Sequence, residues 1–152
     1  MYLVFMKFYW LKFTWFLIVM MAVGSGYGCS CNMARTIKES VDGAPAIFMG
    51  TVLAEASADL EMGEMRAYTI KVKKIYKGTV RADTVVVFTN FSEARCGIQF
   101  KVNSKIIAFA TTILRDKKLI NENRFFETSL CTWSGPYKVA IDKQLTSVIG
   151  KR

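Results

Sequence analysis

Residues 68–73 alternate strictly, with Tyr68, Ile70 and Val72 on one side and Thr69, Lys71 and Lys73 on the other. A period of two predicts a strand with one apolar and one cationic face. Lys77-Gly78 predicts the turn that ends it, and residues 84–89, Thr-Val-Val-Val-Phe-Thr, read as a β-branched strand. Upstream, residues 46–53 form an apolar stretch interrupted by Gly50, which predicts a buried first strand with a bulge or a close approach at the glycine. Between these strands, residues 55–64 carry Glu55, Asp59, Glu61 and Glu64 among alanines and serines, and predict an exposed turn. Residues 98–102 and 106–110 predict two more strands, and 125–130 a sixth. Residues 36–42 have helical composition and are stopped by Gly43 and Pro45; residues 134–136 read as a break, and 139–149 as a C-terminal helix. Five or six short strands separated by turns predict a mainly β protein: a small closed barrel, whose closure removes exposed edges, with flanking short helices.

The first 28 residues do not fit that pattern. An aromatic-rich start carrying Lys7 and Lys12 leads into an apolar run over 13–23 and then small, turn-prone residues 24–28. This is the layout of a secretory signal peptide. The eleven-residue run falls short of the roughly 20 needed to span a bilayer. Gly26 and Gly28 supply the small residues before a cut, so 1–28 is expected to be a signal peptide and 29–152 the domain, beginning at Cys29. Tyr27 does not suit the cut of a bacterial lipoprotein. The whole chain has 21 basic and 12 acidic side chains; without Lys7 and Lys12 the balance is 19 − 12, or +7. A basic extracellular surface points to attraction to acidic matrix polysaccharide or to simple solubility, and no signature of nucleic-acid binding is present.

Four cysteines in an oxidising compartment read as two disulfides rather than a four-cysteine zinc site. Bridging Cys29 to Cys31 strains the short ring, which leaves two pairings, each sending the Cys29-Ser30-Cys31 tripeptide to two distant places. There is no histidine, which removes Ser-His-Asp and Cys-His catalytic centres and histidine-ligated metals. Nothing else signals an enzyme or a cofactor of its own. Asn90-Phe91-Ser92 is a sequon for N-glycosylation. An α-amino group has a reference pKa of about 7.7–8.0, so a chain starting at Cys29 has an appreciably neutral amine. That nitrogen and the carbonyl oxygen of the same residue can close a five-membered chelate on a partner's catalytic zinc, provided the amine is held rigidly.

Four blocks now stand together: Cys29-Ser30-Cys31 after the leader; Tyr68 to Gly78, YTIKVKKIYKG; Phe88 to Gly97, FTNFSEARCG; and Leu130 to Tyr137, LCTWSGPY. In this order they resemble the N-terminal domain of the tissue inhibitors of metalloproteinases. The resemblance implies an OB-like closed barrel of the netrin-like type, with disulfides Cys29–Cys96 and Cys31–Cys131. It implies a secreted, monomeric protein that inhibits secreted or membrane-bound zinc metalloproteinases, with the Cys29 amine and carbonyl on the protease's zinc. Ser30 would enter the specificity pocket, while Cys31, Asn32, Ser92, Glu93, Ala94, Arg95 and Cys96 would fill the cleft. The chain departs from the family in three ways: Asp42 stands where a cysteine of a third disulfide is usual, Asn32, Met33 and Ala34 replace the usual prolines, and a cysteine-rich second domain is not expected. The alternative is a netrin-like extracellular module that inhibits nothing and binds matrix or cell-surface ligands. Sulfated glycans on Lys71, Lys73, Lys74 and Lys77 would suit either reading.

Overall fold

Thr36 opens the first helix, α1 (Ile37–Gly43), its Oγ1 accepting from the Glu39 N–H at 3.2 Å. Ile37 and Val41, one turn apart, are the buried face. In this computed structural model, residues 28–31, 34, 36–60, 63–112 and 124–151 are described. The expected leader, residues 1–28, lies outside them except for Gly28, as does Asn32.

Two fifteen-residue strands follow, β1 (Ala46–Leu60) and β2 (Gly63–Lys77), paired antiparallel as far as Leu60 opposite Gly63. The register shifts at Ile47/Phe48, Met49/Gly50 and Val52/Ala54, and such bulges bend and twist a ribbon. Gly50 sits at one of them, where a Cβ would lie 2.5 Å from Ile70 Cγ2 and 2.7 Å from the Lys71 oxygen. The close approach read from the apolar run is therefore real. The acidic stretch is not the turn it was expected to be: Glu55, Asp59 and Glu64 sit on strands that extend the hairpin. From Leu53 outward most positions of β1 are exposed. Ala54, Ala56, Ala58 and Leu60 do alternate with Glu55, Ser57 and Asp59, and Ala58 and Leu60 pack against the buried Met65 and Phe88, but small alanines among acids are weak strand formers and read as a turn.

Strand β3 (Thr84–Asn90) pairs antiparallel with β2, and β4 (Lys105–Thr112) antiparallel with β1. Strand β5 (Phe125–Glu127) runs parallel to β3 and joins it to the end of β4. Hydrogen bonding thus runs β1-β2-β3-β5-β4 and back to β1, the closed five-strand ring of an OB-like barrel, with β6 (Gly135–Pro136) added along β4. Two departures have one cause. Residues 98–102 form no strand, although Ile98 and Phe100 alternate into the core; their backbone bonds elsewhere, as from Ile98 N–H to Thr89 Oγ1. Residues 134–136, read as a break, contain the two residues of β6. Alternation reports burial, and ladder pairing is decided by what lies alongside.

The barrel interior is filled by Phe48, Tyr68, Ile70, Val85, Val87, Phe100, Ile106 and Phe126. Successive residues of β1 and β4 are buried on both faces, because Ile47, Ile107 and Phe109 point outward beneath α1 and the C-terminal helix α2 (Val139–Ile149). Helix α2 contributes Leu145, Ile141, Val148 and Ile149 to that layer. Among the described residues no helix is long and apolar enough to cross a membrane.

Candidate functional site

The site is built where β3 ends. Thr89 is fully buried, and its hydroxyl receives the Ile98 N–H at 3.0 Å, so the eight residues between must loop out and return. The Ser92 carbonyl accepts from Arg95 N–H at 3.0 Å and Gly97 N–H at 2.9 Å; the Glu93 carbonyl accepts from Cys96 N–H at 2.9 Å. These bonds wind Glu93–Arg95 into one 3₁₀ turn. Cys96 closes it in the left-handed region at φ 64°. Gly97 follows because a Cβ there would run into the Asn90 carbonyl oxygen, with the Ser92 oxygen at 2.8 Å.

Cys96 is bonded to Cys29 and Cys131 to Cys31, with Cα separations of 5.0 and 5.1 Å. Of the two pairings left open by spacing, this is the one implied by the resemblance. No described cysteine is unpaired, and the sulfur of Cys29 lies 3.3 Å from that of Cys31 and 3.7 Å from that of Cys131. All four sulfurs fall within 4.8 Å of one another, but bonded pairwise they offer no thiolates to a metal. A direct hydrogen bond, Leu130 N–H to the Cys96 carbonyl at 2.9 Å, joins the two loops that receive the bridges.

Behind Cys131 stands a cluster of hydroxyls that the sequence did not disclose. Thr128 Oγ1 donates to the Phe109 carbonyl at 3.0 Å and lies 2.7 Å from Ser134 Oγ, which accepts from the Phe109 N–H at 2.8 Å. Ser129 Oγ accepts from the Cys131 N–H at 3.2 Å. Trp133 Nε1 donates to the Ala34 carbonyl at 3.1 Å, holding the chain just beyond the tripeptide against this loop. Serines and threonines in a loop look like ordinary turn residues; only the fold turns them toward β4.

What results is a ridge of two segments side by side. Ser30 is exposed between the half-buried Cys29 and Cys31; Glu93, Ala94 and Arg95 are exposed, and Ser92 and Cys96 half-buried. Asn90, the sequon residue, is half-buried at the end of β3.

The lysine-rich face divides. Lys77 Nζ donates to the carbonyls of Val41 at 2.5 Å and Asp42 at 3.2 Å, satisfying the C-terminal end of α1. Lys74 Nζ lies 2.7 Å from Asp142 Oδ1 of α2, and the Tyr76 and Tyr137 hydroxyls donate to the same carboxylate at 2.6 and 3.0 Å. Lys74 first, then Tyr76, hold the Asp142 carboxyl down at about 2. Burial, reinforced by Asp142, pushes the Tyr76 hydroxyl up, and the bond to Asp142 raises Tyr137. Lys71 and Lys73 remain exposed, and the register adds one cation remote in sequence: Lys105 pairs with Thr51, and Thr51 with Lys71.

Residues 27–149 match the family model described as Tissue inhibitor of metalloproteinase. No curated protein matches the chain.

Proposed function

The chain belongs to the tissue inhibitor of metalloproteinase family, and from that premise we propose that it inhibits zinc metalloproteinases by seating the Cys29 ridge in their catalytic cleft. Members of this family are inhibitors rather than enzymes, and the metal involved is the partner's. The reading requires removal of residues 1–28 on secretion, so that the domain 29–152 begins with the α-amine of Cys29. That amine and the Cys29 carbonyl then chelate the catalytic zinc and take the place of its water. Ser30 enters the pocket beyond the scissile position. Cys31, Asn32, Ser92, Glu93, Ala94, Arg95 and Cys96 line the rest of the cleft.

The observation that carries the proposal is an exposed Ser30 between two half-cystines bridged to separate, mutually bonded loops. A backbone chelate gains affinity only if its ordering has been completed before binding. Here the first and third residues of the processed chain are each fixed covalently, and the chain beyond them is held by Trp133.

The test is the secreted protein with its Cys29 amine acetylated, or extended by one alanine, assayed against the catalytic domain of a secreted zinc metalloproteinase. Loss of a zinc ligand worth about 3 kcal/mol weakens inhibition ~100-fold or more, with the thermal midpoint unchanged. Equal inhibition by native and blocked protein would refute the chelation.

A second reading, a matrix-binding module of the same fold, is favoured by the cations Lys71, Lys73 and Lys105, which form no ion pair among the described residues. Glycan binding by this face would also accompany inhibition, because the face and the ridge involve different residues; the second reading differs in that the ridge then inhibits nothing.

A further inference from the structure

Arg66 lies near the outer end of the β1–β2 hairpin, opposite Ser57 of β1 and Thr89 of β3. Its side chain reaches the diagonal neighbour on each side, a distance long side chains span readily across a sheet. Toward β1, Nη1 pairs with Glu55 Oε1 at 2.5 Å. Toward β3, Nε donates to the Phe91 carbonyl at 2.9 Å, and the guanidinium carbon stands 4.7 Å from the centre of the Phe91 ring. Phe91 is 40% exposed, so its ring is not held by burial in the core. The next residue is Ser92, whose carbonyl anchors both the Arg95 and Gly97 N–H groups. One guanidinium therefore fixes both the backbone and the side chain of the residue from which the second segment of the ridge departs.

We propose that Arg66 is a positioning residue: it braces the Phe91–Ser92 corner from the hairpin and so holds Ser92, Glu93, Ala94, Arg95 and Cys96 in the conformation that a metalloproteinase cleft accepts. Its planar fork suits the task, because Nε and Nη1 point to two partners at once while the ring takes the flat face. A lysine offers one ammonium and cannot serve all three. Glu55 takes part by orienting the guanidinium, which gives one acid of the exposed hairpin a definite role.

The inference rests on the inhibitory reading, and the experiment keeps the two apart. The secreted protein is prepared as wild type, R66A, R66K and F91L. Three quantities are read for each: inhibition of a metalloproteinase catalytic domain, with association and dissociation rates; thermal midpoint; and amide exchange at Arg95, Cys96 and Gly97, with Val52 and Val72 on the barrel as references. Loss of one charge-assisted hydrogen bond and its ring contact in R66A is expected to speed exchange of the three ridge amides ~5- to 10-fold and to raise the dissociation rate similarly, with the reference amides and the association rate little changed. R66K recovers less than half of the effect, and F91L falls between R66A and wild type. Unchanged ridge exchange in R66A overturns the brace. Faster exchange with unaltered inhibition overturns its bearing on the cleft, and slower association with unaltered exchange would mean that Arg66 touches the protease itself. Should the wild type inhibit nothing, the function proposed above fails, while the exchange data still decide whether Arg66 orders the ridge.

Discussion

Replacing Cys31 and Cys131 together by serine removes one bridge and leaves the other in place. Alone, the Cys31–Cys131 bridge closes a loop of 100 residues and Cys29–Cys96 one of 67, worth about 4.7 and 4.4 kcal/mol as restraints on the unfolded chain. The loops are not independent. Once Cys29–Cys96 is closed, the path from Cys31 to Cys131 runs two residues back to Cys29, across the bridge, and 35 residues on from Cys96. That effective loop of about 37 residues is worth about 3.8 kcal/mol, which is the loss expected for C31S/C131S. Equilibrium denaturation in urea, compared with wild type at constant slope, measures it. Opening both bridges costs about 8 kcal/mol, comparable to the whole stability of an ordinary domain, so the cysteine-free chain is expected to be largely unfolded. On the inhibitory reading proposed above, the C31S/C131S protein keeps Cys29 bridged but lets its tripeptide pivot, and inhibition is expected to weaken while the barrel persists. A loss below about 1 kcal/mol would refute the calculation and show that the Trp133 bond and local packing, rather than the cross-link, hold the tripeptide.

Gly97→Ala drives a methyl group into the Asn90 carbonyl and is expected to cost about 2–3 kcal/mol in urea denaturation, while Gly135→Ala, with open space around it, stays within about 0.5 kcal/mol; equal effects would refute the packing argument. Asp142 has a folded pKa of about 2 against an ordinary value near 3.9, so its stabilising contribution is complete above the higher value and is lost as pH falls through the lower. D142N should therefore flatten the decline of thermal midpoint between about pH 4 and pH 2, and a decline as steep as that of wild type would count against the Lys74-Tyr76-Asp142 cluster. K71Q/K105Q should leave a heparin column at lower salt than wild type or K138Q/K143Q, and coincident elution would remove this face as a glycan site.

Legibility in the sequence followed the physical origin of each feature. The strands around Phe48, Ile70, Val87 and Ala108 could be read because burial imposes a pattern on residue choice. The outer hairpin is harder to read because its alternating apolar side is mostly alanine: Ala54, Ala56 and Ala58 between Glu55, Ser57 and Asp59 look like an exposed acidic turn. The small cluster of Met65 and Phe88 that Ala58 and Leu60 pack against is assembled only by the pairing of β1 with β2 and of β2 with β3. Residues 98–102 misled in the opposite sense, their alternation reflecting the core but not a ladder. At the ridge, Cys29, Ser30, Cys31 and Cys96 were identifiable from chemistry and order, whereas Arg66, Thr128 and Ser134 were not. Those three act through one guanidinium or hydroxyl placed by tertiary structure. Spacing alone likewise left two bridge pairings open. Lys74 and Lys77 looked like members of a solvated cationic face, and only the helices packed beside them show that they are already occupied.

The crowding of four sulfur atoms has a bearing on how the protein is made. The Cys29 sulfur lies within 3.7 Å of the Cys131 sulfur, so an isomer with exchanged partners differs from the native one by a small rearrangement and has identical mass. Intact-mass and gel-mobility checks on a recombinant batch will pass both forms. Peptide mapping under acid conditions that stop thiol exchange tells them apart, and on the inhibitory reading proposed above a batch containing the exchanged isomer is expected to titrate as partly active although every molecule is fully oxidised.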